Sequence, residues 1–341
     1  MQDHRTTDEQ WMLRALVGAA NGPENDPNPR VGCILVDPDG AFVSQGWHRG
    51  AGSPHAEAAA LDAAGTRAAG CTAYVTLEPC HHTGRTDPCS RALSAARVAR
   101  VVYAVSDPNA SAAGGAAWLA EQGVAVEGGV LVAEGAALNR TWLHRIRTGR
   151  PWVTWKLATT LDGRSAAADG TSQWITGPQA RADVHEQRAR CGAIVVGTGT
   201  ALTDDPQLTA RRPDGTLHER QPLRVVMGLR DLAAEARVFD DSAHTVHLRT
   251  RSPREVLTEL AEREIHHVWL EGGPTVAAAF MADRLVDEIV AYVAPVLLGR
   301  GRPSVSDLGI TTIADALRLD PTDTRIIGQD IRITATLEES P

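Results

Sequence analysis

The first half of the chain alternates short apolar runs with segments of helical periodicity. Apolar side chains recur at helical spacing from Glu9 to Ala20, which predicts an amphipathic helix. Runs rich in apolar and β-branched residues predict strands at residues 31–36, 41–47, 72–77 and 100–105. The turn sequence DPDG joins the first two strands into a hairpin, and helix-length segments around the later strands predict crossover connections. With a further helix over roughly 131–147, this pattern predicts an α/β layered sheet.

The second half repeats this organisation with a different sequence. Apolar runs predict strands at residues 153–158, 193–197, 223–227, 244–248, 267–273 and 288–298. Helical segments intervene near residues 178–190, 253–264 and 274–282. The polar stretch RIRTGR before Pro151 is typical of a linker. We therefore predict two α/β domains, over residues 1–147 and 151–341.

Composition agrees with two domains and narrows the class of partner. The 341 residues exceed the roughly 250–300 at which a single core stops growing. A net charge of −8 with 43% apolar residues excludes a disordered chain and gives no electrostatic reason to bind duplex nucleic acid or an anionic membrane. The charged N-terminus lacks the apolar segment of a signal peptide, and no apolar run reaches the roughly 20 residues of a membrane span. We expect a cytoplasmic protein.

Five cysteines are an odd number at uneven spacings, so we expect reduced thiols or metal ligands rather than a disulfide framework. In the first half, His55-Ala56-Glu57 lies at the predicted start of a helix, with Ser53 as the capping residue and Pro54 in the first turn. Cys80 follows a predicted strand. Cys89 lies in the first turn of another predicted helix, where backbone N–H groups favour the thiolate.

One imidazole and two thiolates form a three-ligand zinc set that leaves a fourth position for water, which predicts a catalytic site of His55, Cys80 and Cys89. Zinc lowers the pKa of its bound water toward about 7, so Glu57 can accept that proton and pass it to a leaving group. The order H-x-E then P-C matches zinc deaminases, although eight residues separate the cysteines here instead of two. The alternative is a surface histidine with two core thiols; buried thiol is the expectation for Cys33, Cys71 and Cys191.

A second candidate site lies in the second half. Of the 34 Lys and Arg residues, Lys156 is the one lysine, and it is placed at the end of a predicted strand. The segment GTGT follows another predicted strand, and a glycine pair in WLEGGPT precedes a helix. Exposed N–H groups at a helix start suit a pyrophosphate, but the same glycines also suit close strand–helix packing, and GTGT is not the dinucleotide fingerprint of Rossmann folds.

The motifs HAE and TLEPCHHTGRTDPC, with PNPRVGC and SDPN in the same order, resemble the deaminase half of the bifunctional deaminase/reductase family of riboflavin biosynthesis. In that family the long spacing between the cysteines is usual. The motifs of the second half resemble the reductase half of the same family, which uses NADPH. The resemblance implies a cytidine-deaminase-like three-layer zinc domain followed by a dihydrofolate-reductase-like reductase domain, with Zn²⁺ and NADPH as cofactors.

The resemblance also implies roles for particular residues. It places four residues in the pyrimidine-phosphate pocket: Asn28, His82, Asp107 and Asn109. On their own patterns, Asn28, Asp107 and Asn109 would be turn residues. It gives NADPH contacts to Ala158, Trp174, Thr200, Asp204, Gly273, Pro274, Thr275, Val276, Ala277, Ala278 and Ala279. It gives contacts with the reductase substrate to Ser172, Arg188, Leu208, Arg211 and Glu271.

At some of these positions the residues allow another interpretation or depart from the family pattern. The guanidinium groups of Arg188 and Arg211 suit a sugar phosphate chemically. Without the resemblance, the pattern around these two arginines would instead predict a solvent-exposed face. The family usually has an Asp-Ser-like pair where Gly228-Leu229 stand, so the preference for NADPH over NADH stays open.

The functional hypothesis is an enzyme with two successive activities. The first is zinc-dependent hydrolytic deamination of 2,5-diamino-6-ribosylamino-4(3H)-pyrimidinone 5′-phosphate, with Glu57 as the proton shuttle. The second is NADPH-dependent reduction of the ribosyl side chain of 5-amino-6-(5-phosphoribosylamino)uracil, in which Lys156 and Glu271 polarise or orient the sugar. The family suggests a homo-oligomer that acts on small molecules.

Three alternatives remain at this point. One is a nucleoside or nucleobase deaminase fused to an unrelated binding domain. Another is a non-enzymatic zinc-stabilised module, which requires a closed four-ligand site. The third is a nucleic-acid deaminase, which the charge disfavours because residues 1–150 contain 13 Arg against 15 Asp and Glu.

Overall fold

The protein is described by a computed structural model that covers residues 6–82, 87–271 and 273–337. The chain divides into two compact units, residues 1–149 and 150–341. No helix within those described ranges is both long and apolar enough to cross a membrane.

The N-terminal unit is built on a five-stranded sheet in the order β2-β1-β3-β4-β5. Strand β1 runs antiparallel to both of its neighbours, whereas β3, β4 and β5 are parallel to one another. The predicted hairpin and the parallel crossover are therefore confirmed. The elements in chain order are α1 (Thr7–Ala19), β1 (Gly32–Val36), β2 (Phe42–Trp47), α2 (Ala56–Ala64), β3 (Thr72–Leu77), α3 (Cys89–Ala95), β4 (Arg100–Val105), α4 (Gly115–Glu121), β5 (Ala125–Gly128), α5 (Val132–Leu138) and α6 (Arg140–Thr148).

Helices cover both faces of this sheet, which explains why β1 is apolar at every position. Cys33 and Leu35 face a core that contains α2, α3 and α4, whereas Ile34 and Val36 face a core that contains α1 and α6. The unit is thus a three-layer α/β/α sandwich, and the loops at the ends of β3 and β4 are held over a rigid platform.

The helix predicted over 131–147 is two helices in the structure, because Asn139 interrupts it. The Asn139 side chain accepts a hydrogen bond from the backbone N–H of Arg30 at 2.8 Å and donates one to the Arg30 carbonyl at 2.9 Å. A buried side chain that satisfies both backbone groups of a distant residue fixes the bend between α5 and α6. Periodicity along the chain cannot show such a contact, because Arg30 lies 109 positions away in the sequence.

The C-terminal unit is built on an eight-stranded sheet in the order β10-β9-β8-β11-β6-β12-β15-β14, with a separate pair β13-β7. Its elements in chain order are β6 (Trp152–Thr160), β7 (Arg164–Ala167), α7 (Pro178–Ala189), β8 (Ala193–Gly197), α8 (Thr198–Asp204), β9 (Leu223–Met227), β10 (Thr245–Leu248), α9 (Pro253–Glu262), β11 (His267–Leu270), α10 (Pro274–Ala282), β12 (Glu288–Ala294), β13 (Gly301–Pro303), β14 (Leu319–Ile327) and β15 (Asp330–Leu337).

Six neighbouring strands of this sheet, from β10 to β12, are parallel, so their carboxyl ends share one edge. In α/β sheets with this arrangement, ligands bind outside the carboxyl ends of the strands. Helices α9 and α10 pack on one face, and α7 and α8 contribute to the core on the other. A strand is present at each of the six predicted positions, although β11 ends at Leu270 and β12 at Ala294, before the predicted ends at 273 and 298.

Several elements were not predicted from the sequence. Helix α8 replaces the expected Gly-rich turn, and the edge strands β5 and β14 have exposed side chains on both faces, so they lack an apolar pattern. Pro321 lies in β14 beside a break in the pairing register with β15. Proline is tolerated there because an edge strand has one row of N–H groups without a partner strand.

Candidate active sites

His55 lies immediately before α2, in an extended conformation with φ −65° and ψ 159°. The sequence-based prediction that Ser53 caps this helix is wrong, since the Ser53 hydroxyl accepts from the Arg49 N–H and donates to the Gly50 carbonyl. The helix begins at Ala56, directly after His55. Because His55 precedes the first turn, its imidazole points away from the helix axis toward the two cysteines.

Cys80 lies in the loop after β3, and Cys89 is the first residue of α3, with Pro88 in the capping position. The His55 Nδ1 atom lies 3.3 Å from the Cys89 Sγ and 3.7 Å from the Cys80 Sγ. The three donor atoms all lie within 4.8 Å of one another. Residues 83–86 of the PCHHTGRTDPC motif lie outside the described residues. The structure thus brings together the three ligands that the sequence predicted.

Electrostatics at this cluster follow from burial and close contacts. A hydrogen bond from the Cys89 thiol lowers the pKa of Cys80 to about 4, and contacts with His55 and the Cys89 backbone N–H act in the same direction. The pKa of Cys89 is raised, by this same hydrogen bond and by burial. Burial raises the pKa of Glu57 to about 6.

The donor set fits zinc. Two cysteine sulfurs and one imidazole are its preferred ligands, and three protein ligands leave a position open, as in catalytic zinc sites. The buried carboxylate of Glu57, in the first turn of α2, carries a pKa close to the range in which a proton shuttle works at neutral pH.

Asn28 is held beside the ligand cluster by a neighbouring histidine. The Asn28 Nδ2 atom lies 3.2 Å from the His48 Nε2, and the His48 Nδ1 lies 3.1 Å from the Pro54 carbonyl. These contacts connect the Asn28 side chain, through the His48 ring, to the segment that precedes α2. The His48 ring also meets the His55 ring edge-on, with centroids 5.7 Å apart. The predicted substrate residue Asn28 is therefore fixed close to the metal ligands.

The loop after β4 carries Asp107 and Asn109, whose side chains accept hydrogen bonds from the backbone N–H groups of Asn109 and Ser111 at 2.8 and 3.2 Å. Both residues are thus turn formers, as their pattern indicated. Burial raises the pKa of Asp107, and the negative charges of Glu78 and Cys80 raise it further. His82, the fourth predicted pocket residue, is exposed.

Glu78 belongs to this site, although no role was predicted for it from the sequence. Its Oε2 accepts from the Asp107 N–H at 3.2 Å, and its Oε1 accepts from Gly114 and Ala116 at 3.1 and 3.2 Å. A carboxylate two residues before Cys80 therefore ties the loop of Asp107 to the metal motif. A glutamate directly after a buried strand is the only sequence signal that pointed to it.

The second site is a cavity of about 830 Å³ along the carboxyl ends of the parallel strands in the C-terminal unit. Lys156 lines it, although the structure places this lysine inside β6 and not at its end. Strand β11 pairs with β6 only as far as Trp155. From Lys156 onward, β6 therefore has no β11 partner along that edge, and its side chains reach the cavity.

Lys156 belongs to a buried charged group at this end of the cavity. Its Nζ lies 3.9 Å from Glu271 Oε2. Glu271 also accepts two hydrogen bonds from Arg188, at 2.5 and 2.8 Å, and one from the Trp269 indole at 2.8 Å. Burial lowers the pKa of Lys156. Burial alone would raise the pKa of Glu271, but Arg188 and Lys156 lower it to about 2.

The cavity has the features required by a nucleotide cofactor. Its volume is within the usual range for small-molecule sites, and it is lined by Gly197, Gly199 and Gly273. Gly273 precedes α10, which has no side-chain cap; because Pro274 has no N–H group and the Val276 N–H donates to the Gly273 carbonyl at 3.0 Å, the Thr275 N–H is the donor of this first turn that remains for a phosphate oxygen. The other glycine of the predicted pair, Gly272, lies outside the described residues.

Most of the predicted NADPH residues line this cavity, together with Ser172 from the predicted substrate set: Ala158, Thr200, Asp204, Gly273, Pro274, Thr275, Val276 and Ala279. Ala277 lies in the apolar core, so only its backbone can face a ligand, and Ala278 does not line the cavity. Trp174 is 68% exposed, with the Arg181 guanidinium 4.6 Å from its ring centre.

The remaining predicted substrate residues differ in placement. Leu208 is buried in the core with φ +53°. Arg188 is paired with Glu271, as described above. Arg211 has a buried Nε atom without a hydrogen-bond partner among the described residues, and the positive charge of Arg188 contributes to lowering its pKa after burial. Arg211 is therefore the predicted phosphate ligand with unused donor capacity.

Comparisons with known proteins agree with both halves. Residues 5–105 match the cytidine and deoxycytidylate deaminase zinc-binding region, and residues 151–333 match the RibD C-terminal domain. The riboflavin biosynthesis protein RibD of Mycobacterium tuberculosis strain H37Rv is 52% identical over 309 residues, which cover 90% of this chain and 91% of that protein. The chain belongs to the RibD family.

Solved structures lead to the same conclusion. Acinetobacter baumannii RibD matches with a TM-score of 0.91 and 38% identity, covering 98% of this chain and 99% of that one. A deaminase/reductase from Thermotoga maritima matches with a TM-score of 0.86 and 30% identity, covering 97% and 99%. The predicted family, the two-domain α/β fold and the bifunctional deaminase and reductase activity in riboflavin biosynthesis are confirmed. Its cofactors are zinc and NADPH.

Proposed function

We propose that the N-terminal unit hydrolytically deaminates 2,5-diamino-6-ribosylamino-4(3H)-pyrimidinone 5′-phosphate, and that the C-terminal unit reduces the ribosyl side chain of the deaminated product. The Thermotoga maritima relative is described as a diaminohydroxyphosphoribosylaminopyrimidine deaminase and 5-amino-6-(5-phosphoribosylamino)uracil reductase. The observation that carries the proposal is the convergence of His55, Cys80 and Cys89 beside the buried Glu57.

In the deaminase site, His55, Cys80 and Cys89 hold the zinc ion, which acidifies water when bound. Glu57 takes a proton from the attacking water and transfers it to the departing amino group, which leaves as ammonia. Burial holds the pKa of Glu57 near 6, so that the group can both accept and release a proton close to neutral pH. Asn28, oriented by His48, is placed to hydrogen-bond the pyrimidine ring.

In the reductase site, NADPH supplies the hydride when bound. Glu271, kept ionised by Arg188 and Lys156, fixes Lys156 through its carboxylate. Lys156 is placed to donate a hydrogen bond or a proton to the sugar oxygen as C1′ is reduced, and burial lowers its pKa in the direction that favours proton transfer. Arg211, with a free Nε donor, is the residue that we assign to the substrate phosphate.

Two substitutions test the division of labour. Glu57→Gln removes the proton shuttle, so ammonia release from the diaminopyrimidine phosphate should fall by at least a hundredfold while zinc content and NADPH oxidation on deaminated substrate stay unchanged. Lys156→Ala should give the reverse pattern. Normal deamination by Glu57→Gln would show that another group carries the proton, and loss of both activities in either variant would show that the sites are not independent.

The alternatives are less well supported. A nucleoside deaminase with an unrelated second domain would not contain a RibD C-terminal domain over residues 151–333. A closed structural zinc site would need a fourth ligand, and the described residues around His55 form a three-ligand group. The protein acts on small molecules. The homo-oligomeric state and the cytoplasmic location stay predictions.

A further inference from the structure

The cavity of the C-terminal unit extends well beyond the charged group around Lys156. Four inter-strand steps separate β6 from β10, and the residues that follow β9 and β10 line the same cavity. At about 4.8 Å a step, the cavity reaches roughly 19 Å from Lys156 along the carboxyl edge of the sheet. The far end is thus distant from the hydride site.

The two ends of the cavity carry different charges. Both carboxylates among its lining residues, Asp204 and Glu271, lie close enough to Lys156 to influence its charge. The charged residues that line the far end are two exposed arginines, Arg230 after β9 and Arg251 after β10. Within the described ranges neither forms an ion pair or hydrogen bond. The neighbouring Asp231 is paired with Arg249 and does not line the cavity.

The backbone directs Arg230 into the cavity. Its Nη2 lies over Gly199 so closely that a Cβ atom added at Gly199 would be 2.9 Å away. Gly228, with φ +133°, has no room for a side chain either, because an added Cβ would meet the Thr198 hydroxyl at 2.5 Å. A side chain of any kind, including the aspartate that the family usually has there, is therefore excluded at position 228.

We propose that Arg230 and Arg251 form the subsite for the 2′-phosphate of NADPH and determine its preference over NADH. The inference rests on the proposed reductase function. Guanidinium groups suit a phosphate dianion because they donate several hydrogen bonds in a fixed plane. The subsite compensates for the Gly228-Leu229 departure from the family pattern by placing charge on the next residue and on the neighbouring strand.

The test measures binding of 2′,5′-ADP, 5′-AMP, NADPH and NADH to the full-length protein by calorimetry, without turnover. Arg230→Gln and Arg251→Gln should each weaken 2′,5′-ADP and NADPH about tenfold, and the double variant about a hundredfold, while 5′-AMP and NADH change less than threefold. Arg249→Gln is the matched control, because Arg249 carries the same charge nearby but is paired with Asp231. It should leave all four affinities unchanged.

Each other outcome has a distinct meaning. Equal weakening of NADPH and NADH, equal weakening by the Arg249→Gln control, or wild-type protein that binds the two dinucleotides equally would overturn the 2′-phosphate assignment while leaving the reductase function standing. Unchanged NADPH binding in the double variant would overturn it as well. Wild-type protein that binds neither dinucleotide would instead contradict the proposed function of the C-terminal unit.

Discussion

Single side chains connect parts of each site that are far apart in the sequence. Glu78 gathers three backbone N–H groups from the loop after β4, and His48 orients Asn28 through one ring nitrogen while its other nitrogen is fixed by Pro54. Neither Glu78 nor His48 is a metal ligand. They restrict the positions of residues that face the substrate. Such alignment can change the reaction rate by several orders of magnitude.

Glu78 is therefore expected to act as a positioning residue. Glu78→Gln retains one acceptor oxygen but turns its amide toward an N–H donor, so the loop of Asp107 should loosen and the KM for deamination should rise about tenfold with a smaller change in kcat. Glu78→Ala should raise KM further. Steady-state ammonia release checks this, with zinc content and the reductase activity as controls for folding. A fall in kcat at constant KM would contradict a positioning role.

At the scale of elements, the sequence determined most of what is buried and little of what is exposed. Apart from the exposed edge strand β5, the parallel strands of both sheets were predictable because they are short runs rich in apolar residues. Strands β5 and β14 were not, because an exposed edge imposes no pattern. The position of Asn139 in the chain did not predict the bend between α5 and α6, which depends on a hydrogen-bond partner more than a hundred residues away.

The same distinction applies to the sites. His55, Cys80 and Cys89 were predictable because metal coordination requires particular residue types in a fixed order. Arg230 and Arg251 could not be identified from the sequence, because neighbouring parallel strands bring them to one cavity and arginine is the common cation of this chain. The pairing of Arg188 with Glu271 was also hidden, since the two residues lie 83 positions apart in the sequence.

Asn139 offers a test at this scale. Asn139→Ala leaves the backbone N–H and carbonyl of Arg30 without this partner in a partly buried position, which should destabilise the N-terminal unit by about 1–3 kcal/mol. Denaturant unfolding measures the loss. Asn21→Ala is the control, because its side chain hydrogen-bonds only to exposed carbonyls near the end of α1, and it should change stability by less than about 0.5 kcal/mol. Equal losses in both variants would contradict the assignment.

At the scale of the whole molecule, each unit contains its own sheet, its own cores and its own site. The cores of residues 6–149 and those of residues 150–337 share no residue in the described ranges. We therefore expect the two activities to be separable.

Metal removal tests this independence. Treatment with a chelator should abolish ammonia release and lower the thermal stability of the N-terminal unit, because the energy of metal binding contributes to folding wherever the ligands come from separate elements. NADPH oxidation on deaminated substrate should be retained. Added zinc should restore ammonia release. Parallel loss of both activities on chelation would show that the reductase also depends on the metal.

The single lysine has a consequence for chemical modification. Of the 34 basic residues, 33 are arginine, so an amine-specific reagent has one side-chain target in this sequence. That target, Lys156, lies in the cavity beside Glu271. Burial lowers its pKa, which favours the neutral, nucleophilic amine. Acylation, which in most proteins spreads over many surface lysines, is confined here to Lys156 and the α-amino group of the chain, and peptide mapping separates the two. The extent of labelling at Lys156 thus measures how accessible the reductase cavity is, and a bound dinucleotide can be followed by the protection that it gives.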